Sequence, residues 1–195
     1  MRVASALLVA ALVIATLALR RVTTVPTATA PANRGVALRG LSGARIARWV
    51  VAFALGVVSA VVTLLASTVV PGILAGSLGS GDAARGLLRA VPLGASALLA
   101  PSLARFAVAS GKWTALGASV VTAVLCAAAA PLCGSVFAAV IVALLIGGAL
   151  AVYLDSALPV AFELLPSDAF GLAAGLYLGG AFAGSRLLFA VAARF

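Results

Sequence analysis

The sequence predicts an all-α membrane protein, a polytopic bundle of about six transmembrane helices. Of its 195 residues, 65% are hydrophobic and only 9% are charged, whereas soluble domains average about 45–50% apolar and about 25% charged residues. Several apolar stretches approach the roughly 20 residues that a helix needs to cross a hydrocarbon core of about 30 Å. They lack the period-2 alternation of a membrane barrel. We therefore expect helices, in which every backbone amide is bonded within its own segment.

Six stretches qualify as spans, and one long linker divides them. A leading transmembrane helix over 1–19 is followed by a basic linker over 20–48, and a bundle of five helices occupies 49–195. Within these regions the predicted spans are 3–19, 49–70, 87–107, 113–130, 135–158 and 171–193.

The leading stretch, 3–19, has two interpretations. Arg2 and the small residues at 27–30 fit the charged start and the cleavage site of a secretory signal. The stretch is longer than the usual signal core of about 7–15 residues, and Arg20 and Arg21 directly after it are typical of a cytoplasmic helix end. We favour a transmembrane helix, and the signal remains the alternative.

The linker 20–48 sets the predicted orientation. It carries six arginines and no acidic residue, and basic residues collect on the cytoplasmic side of membrane proteins. We therefore expect the linker and the loops 105–112 and 159–170 in the cytoplasm, with 71–86 and 131–134 outside. The linker arginines are Arg20, Arg21, Arg34, Arg39, Arg45 and Arg48.

The second span carries hydroxyl side chains at steps of four residues. Ser59, Thr63 and Ser67 would share one face of an otherwise apolar helix. Such a stripe is typical of a helix that lines a solute cavity. Hydroxyls in membrane helices also bond to carbonyls of their own helix or to a neighbouring helix, so a structural role stays open.

The third span contains Pro92 and Pro101 within an apolar run. Proline bends helices, and interrupted helices often flank the binding site of a transporter. Both residues are hinge candidates, with a bent structural helix as the alternative.

Two ionisable residues lie inside predicted spans. A charge near the bilayer centre costs roughly 2.5–3.5 kcal/mol on insertion scales, so Asp155 and Arg186 are candidates for solute binding or gating. The structural alternatives are that Arg186 reaches outward to the membrane surface and that Asp155 marks a helix end.

The last span is rich in glycine at helical spacing. Gly171, Gly175 and Gly179 follow one another at steps of four, and Gly180 and Gly184 begin a second series. Small residues at this spacing let two helices approach closely. They predict tight packing against a neighbour, with sliding during transport as the alternative.

Several classes of function are excluded by composition. Without histidine no nucleophile can be paired with a histidine base, and Cys126 and Cys133 alone make neither a metal cluster nor a disulfide framework. The G-x-G-x-x-A spacing over 79–84 lacks the βαβ context of a dinucleotide fingerprint. The net charge of +9 lies outside the apolar runs, as membrane topology requires, and does not indicate nucleic acid. We expect no enzyme activity, no catalytic residue, no cofactor and no metal.

The layout of one helix, a long basic linker and then closely spaced helices resembles the centre and second half of a major facilitator superfamily transporter. The stretch PVAFELLPSDAFGLAAGLYLGGAFAGSRLLF, residues 159–189, is similar to the junction of spans ten and eleven in nodulin-like facilitators. The loop PSLARFAVASGKW departs from the family pattern, because it lacks the expected Asp. The residues that carry the resemblance are Glu163, Leu164, Phe170, Gly171, Gly184, Ser185, Leu188 and Phe189.

The resemblance implies spans six to eleven of twelve, so the chain would be a fragment that lacks its remaining transporter helices. It further implies a secondary transporter that moves a small solute by alternating access. The expected cavity face comprises Ser59, Thr63, Ser67 and Arg186, and an arginine there favours an anionic solute. The alternative is a non-transporting membrane scaffold or an inactive transporter remnant. The bilayer is the expected partner, and the plasma membrane is favoured over an organelle.

Overall fold

A computed structural model describes residues 43–79, 82–166 and 169–192. In these ranges the chain is all-helical, and they contain no β-strand. The predicted leading helix 1–19 and the linker up to residue 42 lie outside the described residues. The all-α class is confirmed for the part of the chain that the structure describes.

Six α-helices account for the fold of the residues that the structure describes. Helices α1 and α2 form one continuous rod, because a π-helical turn, Leu65–Val69, joins them. A 3-10 turn, Ala130–Leu132, extends α4. The helices are α1 Gly43–Leu64, α2 Val70–Ser77, α3 Asp82–Ser110, α4 Lys112–Ala129, α5 Val136–Leu164 and α6 Phe170–Ala192.

Four of the described helical segments are long and apolar enough to cross a membrane: Ile46–Ser77, Gly86–Ser110, Lys112–Leu132 and Val136–Leu164. They indicate that the chain is embedded in a membrane. The prediction of about six spans exceeds the four that the described residues show. Helix α6 has 23 residues but is not among these four segments, and the predicted leading helix is not described.

The π-helical turn precedes a proline within the first rod. Pro71 has no amide hydrogen, and in a regular α-helix its ring would clash with the carbonyl of Ser67, four residues earlier. The chain widens instead, and the amide of Val70 donates to the carbonyl of Leu65, five residues back. The rod therefore continues through Pro71, whose side chain is fully buried.

Short connections separate α3, α4 and α5. Gly111 is the single residue between α3 and α4, and its φ of 87° is a conformation that glycine adopts without strain. Ser135 caps α5, because its side chain accepts a hydrogen bond of 3.2 Å from the amide of Ala138. One residue separates α3 from α4, and three residues separate the 3-10 turn from α5, so neighbouring helices run antiparallel.

Helix α5 is the centre of the bundle and packs against α1, α3 and α4. Its largest fully buried side chains are Tyr153, Ile146 and Val160. Helix α6 lies mainly along α1. The two run parallel, since the backbone contacts advance in the same direction along both helices.

Lys112 and Glu163 form an ion pair at one end of the bundle. Lys112 begins α4 and Glu163 lies in the last turn of α5, so these ends of the two antiparallel helices lie together. The loops 105–112 and 159–170, both predicted to be cytoplasmic, therefore lie at the same end of the bundle where the structure describes them. The side of the membrane that this end faces remains a prediction.

Candidate functional site

Two buried tyrosines connect three helices inside the bundle. Tyr153 of α5 is 1% exposed and donates a 2.8 Å hydrogen bond to the carbonyl of Leu55 on α1. Tyr177 of α6 donates a 3.0 Å bond to Oγ of Ser59. Leu55 and Ser59 are one helical turn apart on α1, so the two phenol groups meet the same face of that helix. The bonds join α1, α5 and α6.

Ser156 adds a fourth hydroxyl that is not used within the described structure. It is 2% exposed, and its Oγ has no hydrogen-bond partner among the described residues. It lies three positions after Tyr153 and therefore on the same side of α5. A buried polar group without a partner costs about 1–3 kcal/mol. We call Ser59, Tyr153, Ser156 and Tyr177 the hydroxyl cluster.

Helices α1 and α6 touch through their backbones next to the hydroxyl cluster. A Cβ atom added at Gly180 would overlap the carbonyl oxygen of Phe53 and lie 3.0 Å from its carbonyl carbon. A Cβ atom at Gly56 would overlap the carbonyl oxygen of Tyr177 and lie 2.8 Å from the amide of Ala181. Only glycine permits this approach, which brings Tyr177 within reach of α1.

The structure separates the predicted stripe of Ser59, Thr63 and Ser67. Ser59 is buried in the hydroxyl cluster, whereas Thr63 is exposed and Ser67 is half-buried. Ser67 donates a 2.7 Å bond to the carbonyl of Thr63 in its own helix. Of the three hydroxyl residues in the predicted cavity face, Ser59 alone lies in the hydroxyl cluster.

The glycines of α6 fall on two different faces. Gly184 packs on Val57 of α1, with a distance of 3.1 Å between an added Cβ and the Cα of Val57. Gly171, Gly175 and Gly179 are exposed, and an added Cβ would meet no atom within 4 Å. The packing series on α6 is therefore the second one, Gly180 and Gly184.

The two prolines of α3 also differ in their surroundings. Pro92 is buried, and its carbonyl lies directly against Gly147 of α5, where an added Cβ would overlap it. Pro101 is exposed. The helix is continuous through both residues. Pro92 thus belongs to a close contact between α3 and α5.

Asp155 and Arg186 both lie on the outer surface of the bundle. Asp155 precedes Glu163 by roughly 12 Å of helix, and Arg186 precedes the end of α6 by roughly 9 Å. Neither has an ion-pair partner in the part of the chain that the structure describes. If the Lys112 end lies at the membrane surface, Asp155 lies near the centre of a core of about 30 Å. Arg186 is then within reach of the opposite surface.

The sequence reasoning missed Tyr153, Tyr177, Ser156 and the partner glycine Gly56. A signal was present, because the chain contains only two tyrosines and both fall inside predicted spans. Buried tyrosine hydroxyls usually find a hydrogen-bond partner. The missing hydrogen-bond partner of Ser156 could not be predicted from the sequence, since it depends on where the neighbouring helices lie.

The paired side chains of the hydroxyl cluster interact by hydrogen bonding. The described residues contain no group of three or more His, Cys, Asp or Glu residues that could hold a metal ion. Cys126 and Cys133 are free thiols and both are buried. Comparison of the chain with protein-family models, with curated proteins and with solved structures gives no match. The resemblance to major facilitators therefore rests on the sequence motif alone.

Proposed function

We propose that this chain is a secondary-transporter polypeptide of the facilitator type, in which the hydroxyl cluster contacts the solute. The observation that carries this proposal is the buried Ser156 hydroxyl, which has no partner among the described residues and lies within one helical turn of Tyr153, whose hydrogen bond links α5 to α1. A hydroxyl kept unpaired in an apolar bundle lowers stability. Buried polar groups in native structures are nearly always hydrogen-bonded, so each exception needs an explanation, and here a bound solute would supply the missing partner.

The contacts between helices support motion of two units against each other. Helices α1 and α6 form one unit, because their backbones touch at Gly56 and Gly180. Helices α3 and α5 form the second, with Gly147 against Pro92. The long side chain of Tyr153 links the two units, because it donates a hydrogen bond from α5 to α1. Rocking of two units about a central site is the basis of alternating access.

The proposal includes membership of the major facilitator superfamily, in its nodulin-like branch, and a plasma-membrane location. Enzyme activity is not part of the proposal, since the hydroxyl cluster holds no acid–base pair. The support for family membership is the sequence motif over 159–189.

Uptake by reconstituted protein tests this function. The purified chain is placed in liposomes, and entry of labelled erythritol, lactate and choline is compared with that of protein-free liposomes. We expect saturable, protein-dependent uptake of at least one probe, and we expect Tyr153→Phe, which breaks the bond between the two units, to change its rate. Ser185→Ala is the matched control, because that hydroxyl is outside the cluster and bonds only to the carbonyl of Phe182. Absence of uptake for all three probes would contradict the proposal.

A membrane scaffold is the second candidate, favoured by one observation. Gly171, Gly175 and Gly179 form a face of α6 with open space around it, and such faces allow a partner helix to approach closely. A single cysteine at position 175, in protein lacking Cys126 and Cys133, would then be protected from thiol reagents in native membranes. A protected cysteine combined with no uptake would favour the scaffold.

A further inference from the structure

We infer that the hydroxyl cluster accepts an uncharged solute with hydroxyl or amide groups, and not the anion that Arg186 suggested in the sequence. This inference rests on the proposed transport function and names its substrate class. It follows from which polar groups the bundle buries and which it leaves on the surface.

None of the charged side chains that the structure describes is buried. The buried polar residues there, besides the two tyrosines, are Ser59, Ser119 and Ser156. Arg186 and Asp155 both lie on the outer surface. A charged solute at the cluster would meet no buried opposite charge among these residues, and burying an unpaired ion costs far more than burying a neutral polar group.

The cluster can both donate and accept hydrogen bonds. Ser156 offers a donor and two acceptor positions, and none of them is used by the described residues. Tyr153 donates to α1, and its oxygen remains available as an acceptor. A neutral alcohol or amide carries the complementary donor and acceptor, whereas a carboxylate only accepts.

The experiment compares wild type, Ser156→Ala and Ser119→Ala in proteoliposomes. Labelled erythritol, lactate and choline serve as the neutral, anionic and cationic probes. We expect saturable erythritol uptake in the wild type, with lactate and choline at the level of protein-free liposomes. Ser156→Ala should lower erythritol uptake about two- to tenfold, which corresponds to one net hydrogen bond.

Ser119→Ala is the matched control, because this buried serine already donates a 2.8 Å bond to the carbonyl of Leu116 on its own helix. Its uptake should stay within about twofold of wild type. Saturable uptake of lactate or choline without erythritol would overturn the inference and leave transport intact. Equal loss in both serine variants would assign Ser156 a structural role and overturn it as well. No uptake of any probe would instead defeat the proposed function. The wild-type probe comparison decides the solute class even if Ser156→Ala fails to fold.

Discussion

Gly180→Ala tests whether the backbone contact between α1 and α6 holds the bundle together. The added Cβ would overlap the carbonyl oxygen of Phe53 and lie 3.2 Å from the amide of Val57. Both neighbours are backbone atoms of a helix, so a side-chain rotation cannot relieve the overlap. Helix α6 must therefore move away from α1 by about 1 Å, which forfeits a quarter to a half of each contact's attraction.

The expected magnitude follows from two opposing terms. Overpacking typically costs about 1–3 kcal/mol, and overlap with backbone places Gly180→Ala at the upper end. Replacing glycine by alanine within a helix stabilises the helix by roughly 0.5–1 kcal/mol. The net loss is about 2 kcal/mol, and at about 2–4 °C per kcal/mol for a chain of this size the melting temperature should fall by about 4–8 °C.

Gly175→Ala is the control on the same helix. An added Cβ at this position meets no atom within 4 Å, so only the favourable helix term remains. The melting temperature should stay equal or rise by about 1–4 °C. Unfolding in detergent can be followed through the fluorescence of Trp49 and Trp113, the chain's two tryptophans. If the two glycine variants melt at the same temperature, the assignment of the packing face is refuted.

Three further changes report on other contacts through the same melting experiment. Tyr177→Phe should lower the free energy of unfolding by about 0.5–1.5 kcal/mol. Adding Ser59→Ala to this variant should lower it little further, because that change removes the other partner of the same hydrogen bond. Additive losses would argue against the bond. Ser156→Ala should raise stability by about 1 kcal/mol, because it removes an unpaired buried hydroxyl, and a loss would mean that Ser156 is bonded in the folded protein. Glu163→Lys and Lys112→Glu should each cost at most about 1 kcal/mol, since the pair is partly exposed, and the double swap should restore stability; failure of that rescue would show that the pair contributes nothing.

The helices of this fold could be predicted from the sequence, whereas their rotation about their own axes could not. Each of the predicted spans from 49–70 to 171–193 falls largely within a described helix, because apolar length alone identifies such segments. The rod begins at Gly43, inside the predicted linker, and it continues through Pro71 because a π-helical turn absorbs the proline. The length of an apolar stretch does not predict such a turn.

The hydroxyl cluster depends on how each helix is rotated about its own axis, so it could not be predicted from the sequence. Helix α6 carries two glycine series offset by one residue, and either could face a partner. The choice is made by Gly56 on α1, which packs against Tyr177 and its neighbours. Serines at steps of four predicted one shared face, but the close approach of α6 buries Ser59 and leaves Thr63 exposed. Pairing over 98 and 118 residues of sequence is not visible in local spacing.

The parallel pairing of α1 and α6 has a consequence for biosynthesis. Ser59 is made 118 residues before its partner Tyr177. At the usual synthesis rates of about 5–20 residues per second, α1 waits roughly 6–24 s for α6. During that interval the face around Gly56 is open to any other helix or chaperone in the membrane. Assembly of this bundle is therefore completed only when its last described helix leaves the ribosome, and a ribosome that stalls before residue 177 leaves α1 without its main neighbour.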